Sequence, residues 1–248
     1  MIRLILVVLT LVLFLIFSIP LLLFEEALGK RNPDAKNRQC LAVVQFMFRF
    51  ILKLAGTEVT VEGQENIPTD RAVLYVGNHR SYFDILVGYT TVPGLMGFVA
   101  KKEMENIPLL KNWMEDVQCL FLDRKDIKEG LKTILTGIER VKAGISVWIF
   151  PEGTRNTNED LADLLPFKEG SLKIAEKSGC PVIPVAMVGN ADILENHMPW
   201  IRAKKVMIRY GTPIYLKELP PEVRKKSGAY VRDVIIRMLK DMQENDER

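Results

Sequence analysis

Residues 71–90, RAVLYVGNHRSYFDILVGYT, decide how this chain reads. An apolar run, RAVLYVG, gives way to a polar turn and then to a helical pattern from Ser81 onward, the signature of a strand feeding a helix. His79, one of only two histidines in 248 residues, stands at that junction, and Asp84 follows five positions later. Such a pair can be a general base with its orienting carboxylate, or ordinary structure. On a regular helix, residues five apart diverge by about 140°. The pair therefore works only if His79 lies on the loop or first turn and Asp84 faces back toward it.

Outward from this unit, β-rich runs recur: TEVTVEG, LMGFVAK, CLFLDR, ISVWIF, PVIPVAMVG and KVMIRYG. Between them lie helical patterns: IPLLKNWMED, IKEGLKTILTGIERVKAG and EGSLKIAEKSG. The unbroken apolar character of ISVWIF and VIPVAMV fits strands covered on both faces. The alternation predicts an α/β domain with a mixed, largely parallel sheet of about seven strands flanked by helices. Ligands collect beyond the carboxyl ends of such strands. Four polar clusters fall there: NHRSYFD, AKKE, LDR and FPEGTR. Arginine offers bidentate geometry to phosphate, lysine a point charge, and a glycine turn lets backbone N–H groups approach an anion. The expected ligand is a phosphate ester.

Composition narrows the chemistry. The formal charge of +3 lacks the dense basic stripes that bind nucleic acid. Cys40, Cys119 and Cys180 are odd in number and widely spaced, which suggests neither disulfides nor a thiolate metal site and places the domain in a reducing compartment. No GxGxxG follows a strand and no GxxxxGK[ST] occurs. The nearest approach to GxSxG, Gly144-Ile-Ser-Val-Trp148, ends in tryptophan. No metal and no bound cofactor are expected, although a carboxylate-bound magnesium is left open. A base without a protein nucleophile remains.

The N-terminus reads as membrane-associated. From Leu4 to Phe24 only Thr10, Ser18 and Pro20 interrupt an apolar segment, and roughly 20 such residues can cross the hydrocarbon core. Signal h-regions run about 7–15 residues, so a retained anchor is favoured over a cleaved signal despite the small residues Ala27 and Gly29. Pro20 would kink or end the helix, which leaves open whether it spans or dips in from one face. Lys30, Arg31, Lys36 and Arg38 follow it, against Arg3 before it, and place the domain on the cytoplasmic side. The next stretch, CLAVVQFMFRFILKLAG, reads as a helix in the headgroup plane with Gln45, Arg49 and Lys53 on its polar face, or as one packed on the domain. The division expected is a membrane unit of residues 1–55 and a catalytic domain of residues 56–248.

The motifs resemble those of the glycerolipid acyltransferases, the family that includes 1-acylglycerol-3-phosphate acyltransferase. NHxxxxD matches Asn78 to Asp84, and FPEGTR matches Phe150 to Arg155 without change. LFLDR and VIPVAM resemble two further blocks, and AKKE and LPFKEG extend the likeness over about residues 57–215. The resemblance implies that His79 is the general base and Asp84 its partner, with Asn78 and Ser81 supporting the motif. It also implies that Arg124, Glu152, Gly153, Thr154 and Arg155 bind the glycerophosphate head. Lys101 is the implied extra phosphate ligand, with Lys102 next in line. The second block commonly opens with glycine six positions before its arginine, where this chain has Gln118.

The implied reaction is direct acyl transfer from acyl-CoA or acyl-carrier protein to the 2-hydroxyl of lysophosphatidic acid, giving phosphatidic acid. Membrane lipids and the acyl carrier are the expected partners. Backbone N–H groups at the start of the SYFDILVGY helix are the expected oxyanion donors. The alternatives are an acyltransferase for another lyso-lipid or for glycerol-3-phosphate, and a membrane lipid-binding protein without turnover. Outside this pattern, His197 reads as structural or surface, Trp113, Trp148 and Trp200 as core or interface residues, and Glu152 equally well as a turn stabiliser.

Overall fold

The structure, a computed structural model, describes residues 1–246. Three helices come first: α1 (Ile2–Phe17), α2 (Ile19–Gly29) and α3 (Pro33–Ala55). Then follow β1 (Glu58–Glu62), β2 (Leu74–Gly77), α4 (Phe83–Thr91), β3 (Met96–Lys101), α5 (Leu110–Asp116), β4 (Leu120–Leu122) and α6 (Ile127–Lys142). The chain continues with β5 (Ser146–Ile149), α7 (Lys173–Ser178), β6 (Val182–Val188), β7 (Lys205–Tyr210), α8 (Pro221–Arg224) and α9 (Ser227–Asp246). Each of the β-rich runs forms a strand of one seven-stranded sheet in the order β1-β7-β6-β2-β5-β3-β4. All neighbours are parallel except β6 and β7.

Alternate side chains of the central strands enter two separate cores. Tyr75, Trp148, Ile183 and Val185 point to the layer of α1 and α3–α5, and Leu74, Val147, Val182 and Ala186 to the layer of α6, α7 and α9. Burial on both faces explains why these strands read as unbroken apolar runs. The C-terminal helix supplies Val231, Ile235, Leu239 and Met242, at helical spacing, to the second layer.

The N-terminal apolar segment is broken, with Pro20 in the first turn of α2, and the two pieces meet at a bend of 51°. No single described helix is long and apolar enough to cross a membrane, but the bent pair passes that test together. The break is also an anchor: Trp113 Nε1 donates to Ser18 Oγ at 2.8 Å, and Phe14 packs on the Trp113 ring. Val7 of α1 and Cys40, Val44 and Ile51 of α3 share the core of Tyr75 and Trp148. Gln45 and Arg49 reach the neighbouring helix, as the packed alternative for α3 expects, while Arg49 and Lys53 stay exposed. Gln45 Nε2 donates to the carbonyl of Tyr89 at 2.9 Å and Arg49 Nη2 to that of Thr90 at 3.4 Å, satisfying orphan carbonyls at the end of α4. Phe46 and Phe50 remain exposed on the same helix.

Gln118 keeps the conformation that a glycine would take. Its φ is +66°, in the left-handed region, which costs a non-glycine residue about 1–2 kcal/mol. Its side chain offsets part of this by donating to Asn37 Oδ1 at 2.8 Å. The turn brings the Gln118 carbonyl against β3, where a Cβ on Gly97 would stand 1.9 Å from its oxygen, so position 97 requires glycine.

Candidate active site

Asn78 closes the gap beyond the last β2–β6 pair. Its side chain donates to Met187 O at 3.0 Å and accepts from Met187 N at 2.8 Å, mimicking a backbone partner. His79 thus leaves the sheet from a fixed point. It precedes α4, so the helical divergence that would separate it from Asp84 does not apply. Asp84, in the first turn, turns back, and its Oδ2 lies 2.8 Å from His79 Nδ1. The same oxygen accepts from Arg80 N and Ser81 N, both at 2.8 Å, and Oδ1 accepts from Asn190 Nδ2 at 2.7 Å. Asp84 is buried, with 1 % of its surface exposed. The carboxylate fixes the imidazole with its Nδ1 proton toward Asp84 and Nε2 as the acceptor. The ring stacks on Phe150, with centroids 4.1 Å apart.

The expectation of free amides at the start of α4 does not hold. His79 N donates to Glu152, Arg80 N and Ser81 N to Asp84, Tyr82 N to Glu195, Phe83 N to Ser81 Oγ, and Asp84 N to the Ser81 carbonyl. The loop's donors hold its own shape.

Glu152 belongs to that holding. Its Oε1 accepts from His79 N at 2.9 Å and its Oε2 from Leu165 N at 3.0 Å, and it is 3 % exposed. Burial raises its carboxyl pKa above the ordinary value, against the pull of those two amides. Both oxygens are committed to main chain, which corrects the implied role as a headgroup ligand and favours the turn-stabiliser reading. Gly153 has φ +74°, the left-handed turn that glycine takes without strain. Thr154 is exposed at the tip of this turn.

The two arginines of the implied clamp occupy opposite sides of the turn. Arg155 pairs with Glu195, Nη1 to Oε1 at 3.1 Å, and lies over the Tyr82 ring at the start of α4. Arg124 instead donates to the Gly153 carbonyl and lines a cavity of about 600 Å³ with Lys168, Ile127, Leu131, Ile134 and Phe150. Lys102, through its ion pair with Asp123 at 3.1 Å, stands on the Arg124 side, whereas Lys101 pairs with Glu103 at 3.1 Å and is largely exposed.

Asn190, Glu195 and Lys168 are the site residues that sequence reasoning missed. Asn190 and Glu195 follow β6, a strand whose carboxyl end carries polar residues just as the four selected ends do. That signal was present, but no motif marked it. His197, in the same loop, makes no side-chain hydrogen bond among the described residues.

A sheet of this topology, with a carboxylate-held histidine at its carboxyl end and cationic groups around a glycine turn, is the framework of an α/β enzyme site suited to an anionic ligand. A family model described as Acyltransferase matches residues 58–188, more than half of the chain, and the chain belongs to that family. It is 30% identical over 198 residues to 1-acyl-sn-glycerol-3-phosphate acyltransferase of Saccharomyces cerevisiae, covering 79% of this chain and 64% of that protein. It is 27% identical to the protein of the same name from Borreliella burgdorferi, covering 83% of this chain and 81% of the relative. The crystal structure of the 1-acyl-sn-glycerophosphate (LPA) acyltransferase PlsC from Thermotoga maritima superposes with a TM-score of 0.81 at 27% identity, over 98% of this chain and 95% of that one.

Proposed function

We propose that the protein transfers a fatty acyl group from a thioester, on CoA or acyl-carrier protein, to the 2-hydroxyl of 1-acylglycerol-3-phosphate at a membrane surface. The observation that carries this reading is the His79–Asp84 contact of 2.8 Å, with Asp84 held by three further donors. Binding an anion requires no such base. His79 Nε2 takes the hydroxyl proton as the oxygen attacks the thioester carbonyl, and a tetrahedral oxyanion forms. The C–S bond then breaks, and the imidazolium returns its proton to the leaving thiolate. No acyl-enzyme is required. The relatives' names supply the acceptor.

Arg155 is assigned to the acceptor phosphate. Arg124 and Lys168 line the separate, largely apolar cavity. Purified protein in detergent, given labelled acyl thioester, should acylate 1-acylglycerol-3-phosphate in preference to glycerol-3-phosphate, lysophosphatidylcholine and 1-acylglycerol. Preference for another acceptor would sink this reading. Arg155 is 34% exposed, so the lower end of the range for charged hydrogen bonds applies. Arg155→Ala is expected to raise the acceptor KM about 10- to 30-fold and leave the donor KM unchanged. A rise in the donor KM alone would assign this arginine to the other substrate.

The bent apolar pair α1–α2 is assigned to the bilayer, with the catalytic domain on the cytoplasmic face. Deletion is a poor test because Val7, Phe14 and Ser18 pack into the domain. Ile5, Leu9 and Phe17 are exposed instead. Changing all three to serine should lower partition onto vesicles by about 10³-fold if all three enter the bilayer, since each buried apolar side chain is worth about 1.5–3 kcal/mol. Turnover of a soluble short-chain acceptor should be retained. Unchanged vesicle binding would show that α1 is not the docking element.

A further inference from the structure

Glu195 lies outside every motif, yet its carboxylate is where the catalytic loop and Arg155 meet. Oε1 accepts from Tyr82 N at 2.8 Å and from Arg155 Nη1 at 3.1 Å, and Oε2 accepts from Ser81 Oγ at 2.7 Å. The side chain is 15% exposed. Arg155 is gripped from a second direction, because its Cζ lies 3.9 Å from the Tyr82 ring centroid and Nη2 donates to the Tyr82 hydroxyl at 3.2 Å. A guanidinium carries five N–H groups in a rigid fork. These contacts use two of them and leave the rest for a ligand.

We propose that Glu195 is a positioning residue for the acceptor's phosphate, acting through Arg155. It holds the guanidinium against Tyr82 before substrate arrives and ties it to the loop that carries His79 and Asp84. A side chain ordered in advance loses less freedom on binding, and the tie fixes the distance between phosphate and base. The opposite role, an internal anion that must leave before phosphate can enter, would break three hydrogen bonds, two of them from the catalytic loop itself. A carboxylate this close also repels a phosphate, so the sign of the effect distinguishes the two roles. The inference rests on the assignment of Arg155 to the acceptor phosphate.

The test compares Glu195→Gln, Arg155→Ala and the double variant on 1-acylglycerol-3-phosphate and on phosphate-free 1-acylglycerol, with folding checked by thermal melting. Glu195→Gln is expected to raise KM for the phosphate acceptor about 5- to 10-fold. The loss in kcat/KM should be larger on the phosphate acceptor than on 1-acylglycerol, whose rate reports any disturbance of the loop through Ser81 and Tyr82, and the donor KM should be unaltered. In the double variant, KM should equal that of Arg155→Ala alone, since coupled residues are not additive. A fall in KM would make Glu195 a competing anion and overturn the proposal. Equal losses on both acceptors, additive with Arg155→Ala, would reduce it to a scaffold residue. If Arg155→Ala left the acceptor KM unchanged, the assignment beneath the proposal would fail, visibly and separately. Should Glu195→Gln not fold, Glu195→Asp carries the same comparison at smaller amplitude.

Discussion

His79→Ala is expected to lower acyl transfer about 10²–10⁴-fold, the range for loss of a general base, in a protein that still folds. The fold should survive because the loop is held by its main chain. His79 N donates to Glu152, and the His79 carbonyl accepts from Asn156 N at 2.7 Å, and neither contact needs the ring. Asp84 keeps Arg80 N, Ser81 N and Asn190 as partners, so no buried carboxylate is stranded. What disappears is the imidazole stacked on Phe150, and with it the acceptor for the hydroxyl proton. Initial rates at saturating donor and acceptor, beside a thermal melt, check this. Turnover near the parent value in a folded His79→Ala protein would remove the base mechanism.

The strands were legible because each central one is buried on both faces, so burial writes itself as an unbroken apolar run in SVWI and VIPVAMV. The His–Asp geometry was legible for a local reason: both residues lie on one short connection. Asn190 and Glu195 were not, because their bonds to Asp84 and Tyr82 span 106 and 113 residues and carry no spacing signal. Glu152 illustrates a further limit. Its place beside Gly153 and Arg155 in the sequence suggests a shared ligand, yet successive residues in a tight turn point in different directions, and Glu152 points into the protein. Gln45 and Arg49 show a related ambiguity. A polar stripe on an amphipathic helix is equally consistent with water, headgroups or the bare carbonyls of a neighbouring helix end, and here α4 supplies the last. The break at Ser18 needed Trp113, 95 residues away, to become a docking point.

Asp84→Asn is expected to lower kcat about 10²-fold, near the upper end of what one charged hydrogen bond is worth at 1.5–3 kcal/mol. The direction of the new amide follows from its neighbours. Arg80 N and Ser81 N both point at Oδ2 and would oppose an NH₂ there, so the amide oxygen takes that place and the NH₂ faces Asn190. Asn190 can accommodate it, because its Oδ1 is buried without a hydrogen-bond partner among the described residues and a flip of its side chain offers that oxygen to the new donor. His79 Nδ1 therefore still donates, the tautomer is kept, and the loop stays folded. Only the negative charge is lost, and that charge is needed when His79 becomes an imidazolium as the hydroxyl oxygen attacks. The loss should fall mainly on kcat, since Asp84 bonds neither Arg155 nor Glu195 directly. If kcat stays within a few-fold of the parent, Asp84 serves the loop's shape alone, and the base works without its carboxylate.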